Sequence, residues 1–128
     1  MYHMIQNHFA GYWLVDGIDP EKYRQEFINL ASRGARVLAH PHRWYPESVE
    51  NPETGFPFSP ASAWELIVAC LERGDQIEVI EMKKPPGTRG FVMYIQLQTD
   101  RSLLYVKLQL GAGKIIGRSF HYSNFTFS

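Results

Sequence analysis

Three successive runs between Gly90 and Tyr122 alternate apolar and polar residues, and this constrains the chain more than any other feature. In the first run Phe91, Met93, Ile95 and Leu97 share one face, and Val92, Tyr94, Gln96 and Gln98 share the other. In the second, Leu104, Val106, Leu108 and Leu110 oppose Leu103, Tyr105, Lys107 and Gln109. The third sets Ile116, Phe120 and Tyr122 against Ile115, Gly117, Ser119 and His121. A period of two residues marks strands with one buried face.

The connections are short, so register follows by counting. Thr99–Ser102 suits a four-residue hairpin loop, and Gly111–Gly113 a three-residue loop with glycines free to take positive φ. Gln98 then pairs with Leu103, which places Gln96 opposite Tyr105. Leu110 pairs with Lys114, which places Tyr105 opposite Ser119 with His121 on the diagonal. The expected polar row is Gln96, Tyr105 and Ser119, flanked by Lys107 and His121. A slip of one residue would send these side chains to opposite faces.

A chain of 128 residues suits one domain, with a helical, acidic part (1–76) and a basic antiparallel sheet (77–122). Residues 1–82 hold six Lys/Arg against twelve Asp/Glu; residues 83–128 hold seven against Asp100 alone. Two readings fit this split: a sheet that faces a polyanion, or acidic helices packed beside a basic sheet. No apolar run has transmembrane length, and the start lacks the basic and apolar regions of a signal peptide. The single cysteine, Cys70, has no partner for an internal disulfide and reads as a small buried hydrophobe. Together these point to a cytoplasmic protein with no membrane association.

The N-terminal half reads as follows. Tyr12–Val15 suits a short strand. Asp19 and Pro20 open a helix with the stripe Tyr23, Phe27, Leu30 and Ala31, stopped by Gly34. Residues 35–39 suit another short strand. Residues 40–58 are an irregular, proline-rich loop, unusually long for so small a chain. Its His42, Arg43, Trp44 and Tyr45 mix basic and aromatic groups, the composition that grips single-stranded nucleic acid; equally, the loop wraps the core with Trp44 tucked inside. His40 and His42 are half of a metal site, without a supporting carboxylate or cysteine, so no metal is expected. Either Ser59–Pro60 or a Ser62/Glu65 capping box opens a second helix, with Trp64, Ile67, Val68 and Leu71 as its stripe and Gly74 as its end. Glu78–Met82 is a strand, and Lys83–Arg89 a basic turn. The expected fold is α+β: two helices packed on one face of an antiparallel sheet of about four strands.

The polar face holds the residue types of metal-free RNA cleavage. A histidine takes or gives a proton near neutral pH. Lys107, with Lys83, Lys84 or Arg89, offsets phosphate charge, and Tyr105 and Gln96 donate hydrogen bonds. A base removes the ribose 2′-OH proton, the oxygen attacks phosphorus, cations stabilise the oxyanions, and an acid protonates the leaving 5′ oxygen. No cofactor is needed. The same residues also describe a solvated sheet face.

The segment Leu104-Tyr-Val-Lys-Leu-Gln-Leu110, a short turn, then Lys114-Ile-Ile-Gly-Arg-Ser-Phe-His-Tyr122 resembles the last two strands of the MqsR-like toxins. Those are mRNA interferases of the RelE/barnase/colicin-type ribonuclease superfamily, with a small helical part and an antiparallel sheet. The likeness is close over roughly 20 residues of the C-terminal half. It implies a catalytic role for Tyr105, and places His121 where a catalytic-face lysine follows Ser-Phe. The family's glutamine on the preceding strand corresponds to Gln96, or to Gln98 in another register, and its lysine after the second helix to Lys83 or Lys84.

The combined expectation is a metal-independent RNA endonuclease, the toxin of a bacterial type II toxin–antitoxin pair, with RNA and an antitoxin protein as partners. His121, Tyr105, Lys107 and Gln96 would be catalytic. Lys83, Lys84, Arg89, Ser119, His42, Arg43 and Trp44 would bind substrate. The alternative is a non-catalytic protein- or RNA-binding module that uses the basic sheet face and the 40–58 loop.

Overall fold

The structure is a computed structural model that describes residues 2–3, 12–15, 19–32, 36–37, 44–82, 88–99, 101–111 and 113–123, with side chains from residue 19 onward except at 36, 37 and 82. The strands are β1 (Tyr2–His3), β2 (Tyr12–Val15), β3 (Arg36–Val37), β4 (Glu78–Met82), β5 (Arg89–Ile95), β6 (Leu104–Gly111) and β7 (Lys114–Tyr122). The helices are α1 (Glu21–Ser32) and α2 (Pro60–Arg73), with a 3₁₀ turn at Pro46–Ser48. The fold is α+β. Its centre is the antiparallel sheet β4-β5-β6-β7; among the described residues the short strands extend it to the order β1-β2-β4-β5-β6-β7-β3, with β3 parallel to β7.

Local chemistry sets the helix ends. Asp19 accepts the Glu21 N–H at 3.0 Å ahead of α1. Ser59, not Ser62, caps α2: Ser59 Oγ accepts the Ser62 N–H at 3.0 Å, and Ser62 Oγ accepts the Ser59 N–H at 2.9 Å. Pro60 takes the first turn, where its missing N–H costs nothing. Gly74 ends α2 at φ +89°, and the Asp75 and Gly74 N–H groups close a Schellman motif on Cys70 and Leu71 O.

Both helices pack on one face of the sheet. Phe27 and Ala31 of α1, and Trp64, Ile67 and Leu71 of α2, share a core with Phe91, Met93, Ile95, Leu104, Val106, Leu108, Ile115 and Phe120. Burying each large side chain contributes about 1.5–3 kcal/mol. The 44–58 stretch closes one end as a compact hairpin-like loop: Asn51 N–H donates to Phe56 O at 2.7 Å, and Phe58 N–H to Val49 O at 2.9 Å. Trp44, Val49 and Phe58 anchor it inward, while Tyr45 and Phe56 stand exposed.

Two register details differ from the count made on loop lengths. The chain leaves β5 at Ile95, so Tyr94, not Gln96, lies opposite Tyr105. Between β6 and β7, Gly111 pairs with Lys114, one residue away from the expected pairing. That slip alone would reverse the faces of β7. It does at first: Ile115, not Ile116, faces the core. A β-bulge then intervenes, because Leu108 pairs with Gly117 but Lys107 pairs with Ser119. Arg118 is the extra residue. The bulge restores the expected parity, so Phe120 enters the core and His121 joins the face of Tyr105.

Candidate functional site

The sheet face away from the helices carries the candidate site. Strand pairing places Tyr94 opposite Tyr105 and Tyr105 opposite His121. Their rings form one row: centroids are 5.5 Å apart for Tyr94–Tyr105 and 5.4 Å for Tyr105–His121. Ile80 and Val92 are buried on the same face, and the two tyrosines pack against them. The adjacent row, two residues along, is Val92, Lys107 and Ser119, with Glu78 beyond Val92 on β4.

His121 is exposed, and its Nδ1 lies 3.0 Å from Tyr122 O. A carbonyl only accepts, so Nδ1 carries the proton in this contact. A ring carrying its one proton on Nδ1 presents Nε2 as an acceptor, the arrangement a general base needs.

Lys107 is half-buried. Burial, and then the neighbouring Arg118 charge, hold its ammonium below the usual lysine range. Burial lowers Arg118 likewise. Arg118 Nη1 donates to Oε1 of Gln109, an amide only 7% exposed. Burial raises Glu78 above the ordinary carboxylate range. The face therefore combines two cations, two tyrosines, an accessible imidazole and a hydroxyl. In chemical terms it can hold an anion and exchange a proton beside it.

The residues singled out from sequence divide accordingly. Tyr105, Lys107, Ser119 and His121 lie on this face, with Ser119 opposite Lys107 rather than Tyr105. Gln96 does not join the row: it follows the end of β5 and lines a cleft of 320 Å³ with α2 and the 51–58 loop. Arg89 pairs with Glu81 on the helix-side face, because its neighbour Gly90 falls on the face of Ile80. It sits at the far end of the strand, beside Glu26 and Lys114. Trp44 is 2% exposed, wedged between Trp64 and Phe120 with ring centroids 5.0 and 5.3 Å away, so its indole is not available for base stacking. Lys83, Lys84, His42 and Arg43 lie outside the described residues.

Tyr94 and Gln109 lie on the face where the alternation put them, but sequence reasoning did not single them out as site residues; it missed Arg118 and Glu78 as members of the face altogether. Arg118 left only one signal, a polar residue between Ile116 and Phe120 that breaks the alternation. No family model matches the chain, and no match is found among curated proteins or solved structures.

Proposed function

We propose that the chain is a metal-independent RNA endonuclease acting through 2′-OH attack, and that it serves as the toxin of a bacterial toxin–antitoxin pair. The observation that carries this reading is the direct pairing of Tyr105 with His121, beside Lys107, on one face of the sheet. His121 Nε2 takes the 2′-OH proton or returns one to the leaving 5′ oxygen. Tyr105 donates to a non-bridging oxygen, Lys107 offsets the developing charge, and Ser119 helps position the phosphate. The resemblance of Leu104–Tyr122 to the MqsR-like interferases supports the same face and supplies the expectation of an antitoxin partner.

The test is to incubate the purified chain, its His121→Ala variant and its Tyr105→Phe variant with mixed RNA in EDTA. Wild-type cleavage leaving 2′,3′-cyclic phosphate ends is expected, with each variant slower by about a hundredfold or more. Unchanged rates in both variants would remove these roles, and intact RNA throughout, with ribosomes present or absent, would remove the nuclease.

A second reading has its own observation. Tyr45 and Phe56 are 65% and 72% exposed on the otherwise well-anchored 44–58 loop, as in a protein-docking element. It predicts intact RNA and loss of partner capture in a Tyr45→Ser/Phe56→Ser double variant.

A further inference from the structure

The bulge at Arg118 does something a regular strand cannot: it places two consecutive side chains on one face. Gly117 faces Trp44 in the core, and Ser119 lies opposite Lys107 on the other face. Arg118, between them, hydrogen-bonds Gln109, whose sequence neighbours Leu108 and Leu110 face the core. Arg118 and Ser119 therefore both project beside Lys107.

This is a costly arrangement for a folded chain. Arg118 and Lys107 are like charges within electrostatic reach, and both lose hydration. Gln109, itself buried, is spent on orienting the guanidinium. Only Nη1 is engaged; among the described residues Nε and Nη2 donate to nothing. The planar fork of an arginine, held at one corner and open along its other edge, matches two oxygens of a phosphate.

We propose that Arg118, oriented by Gln109 and adjoining the Lys107 and Ser119 that face the scissile phosphate, is a phosphate-binding subsite for the RNA strand, holding the phosphate next to the scissile one. The neighbouring position follows from spacing. Gln109, which holds Arg118, stands two residues along β6 from Lys107, roughly 7 Å. Arg118 is a positioning residue here, fixing the strand's register over His121. That the ligand is RNA rests on the nuclease reading above; that the site takes a phosphate does not.

Two measurements on the full chain separate these layers. The first follows the arginine Nε–Hε signals by NMR while inorganic phosphate is added, with Arg118 assigned by its absence in Arg118→Gln. A saturable shift of the Arg118 signal is expected. The second measures binding of a 2′-O-methyl oligonucleotide, which cannot be cleaved, across a salt series. Arg118→Gln should weaken binding and reduce the magnitude of the log–log salt slope by about 0.7, the value of one lost phosphate contact on a single strand. Arg118→Lys keeps the charge but loses the fork; it should restore the slope but not the full affinity, and it substitutes for Arg118→Gln should that variant fail to fold.

A phosphate-induced shift with no RNA binding by the wild type would uphold the subsite and overturn the nuclease reading. Wild-type RNA cleavage with an unchanged slope in a folded Arg118→Gln variant would overturn the subsite and leave the nuclease standing. A silent Arg118 signal up to millimolar phosphate would overturn the subsite as well.

Discussion

The Trp44 indole lies so close to Gly117 that a Cβ on that glycine would overlap its ring atoms. The contact pins the 44–58 loop to β7, one residue before the bulge. Gly117→Ala is therefore expected to lower stability by about 1–3 kcal/mol through overpacking, and Trp44→Ala by about 3–5 kcal/mol through the cavity it opens. The two are coupled: in the Trp44→Ala background, the added methyl meets space instead of a ring. Urea unfolding of the four proteins measures this cycle. Equal costs for Gly117→Ala in both backgrounds would show that the glycine is needed for another reason.

Arg24 joins the two helices by their backbone. From α1, its Nη1 donates to Leu71 O at 3.0 Å, which also accepts the Gly74 N–H, and its Nη2 to Asp75 O at 2.7 Å, just past the end of α2. Glu21, one turn earlier, holds the guanidinium in place. The side chain is 12% exposed, so solvent replaces these bonds poorly. Arg24→Ala is expected to cost about 2–3 kcal/mol, in line with hydrogen bonds from a charged donor. Arg24→Lys should recover little of it, because an ammonium cannot span two carbonyls and Glu21 with a fixed fork. Urea midpoints decide, and a Lys variant as stable as wild type would reduce Arg24 to a simple charge.

What was legible from sequence was periodicity; what was hidden was register. The stripe of Phe27 and Ala31 and that of Trp64, Ile67 and Leu71 identified both helices and the face they bury. Glu78–Met82 is bounded as the alternation suggested. Counting across loops misplaced the pairings, because Gln96 and Leu97 continue an alternating pattern after the ladder has ended at Ile95. Tyr105 and His121 still share a face only because a slip at the Gly111–Lys114 turn and the extra residue Arg118 cancel. The slip is invisible in a pattern of apolar and polar residues, and the bulge shows there only as the polar Arg118 between Ile116 and Phe120. The fate of Trp44 was equally open in sequence, where a core wedge and a stacking platform have the same aromatic signature. Packing against Gly117 decides between them.

Cys70 is buried among the core residues of α2, and burial, followed by the charge of Asp75, pushes its thiol up to about 11. Thiolate is the reactive form. In the folded chain at pH 8, Cys70 should therefore resist iodoacetamide for hours, and it should react fully within minutes in 6 M guanidinium chloride. Mass spectrometry of labelled protein reads both. Rapid labelling without denaturant would mean that α2 opens locally.

Glu78 begins β4 on the face of Tyr105 and His121, and burial alone raises its pKa. The folded chain thus holds this proton more tightly than the unfolded chain does. By linkage, the contribution to stability is fully present below the ordinary carboxylate pKa and is lost as pH rises from there through the raised folded value; above that it stays lost. Glu78→Gln removes the charge while keeping most of the shape. It should be more stable than wild type at pH 7, with the difference shrinking toward zero near about pH 3.5, where both side chains are neutral. Paired urea titrations at the two pH values test this. A difference independent of pH, or one that grows on acidification, would remove burial of the charge as the cause. The same substitution takes one negative charge from a face proposed to bind RNA, so it should tighten binding of the uncleavable oligonucleotide, most visibly at low salt.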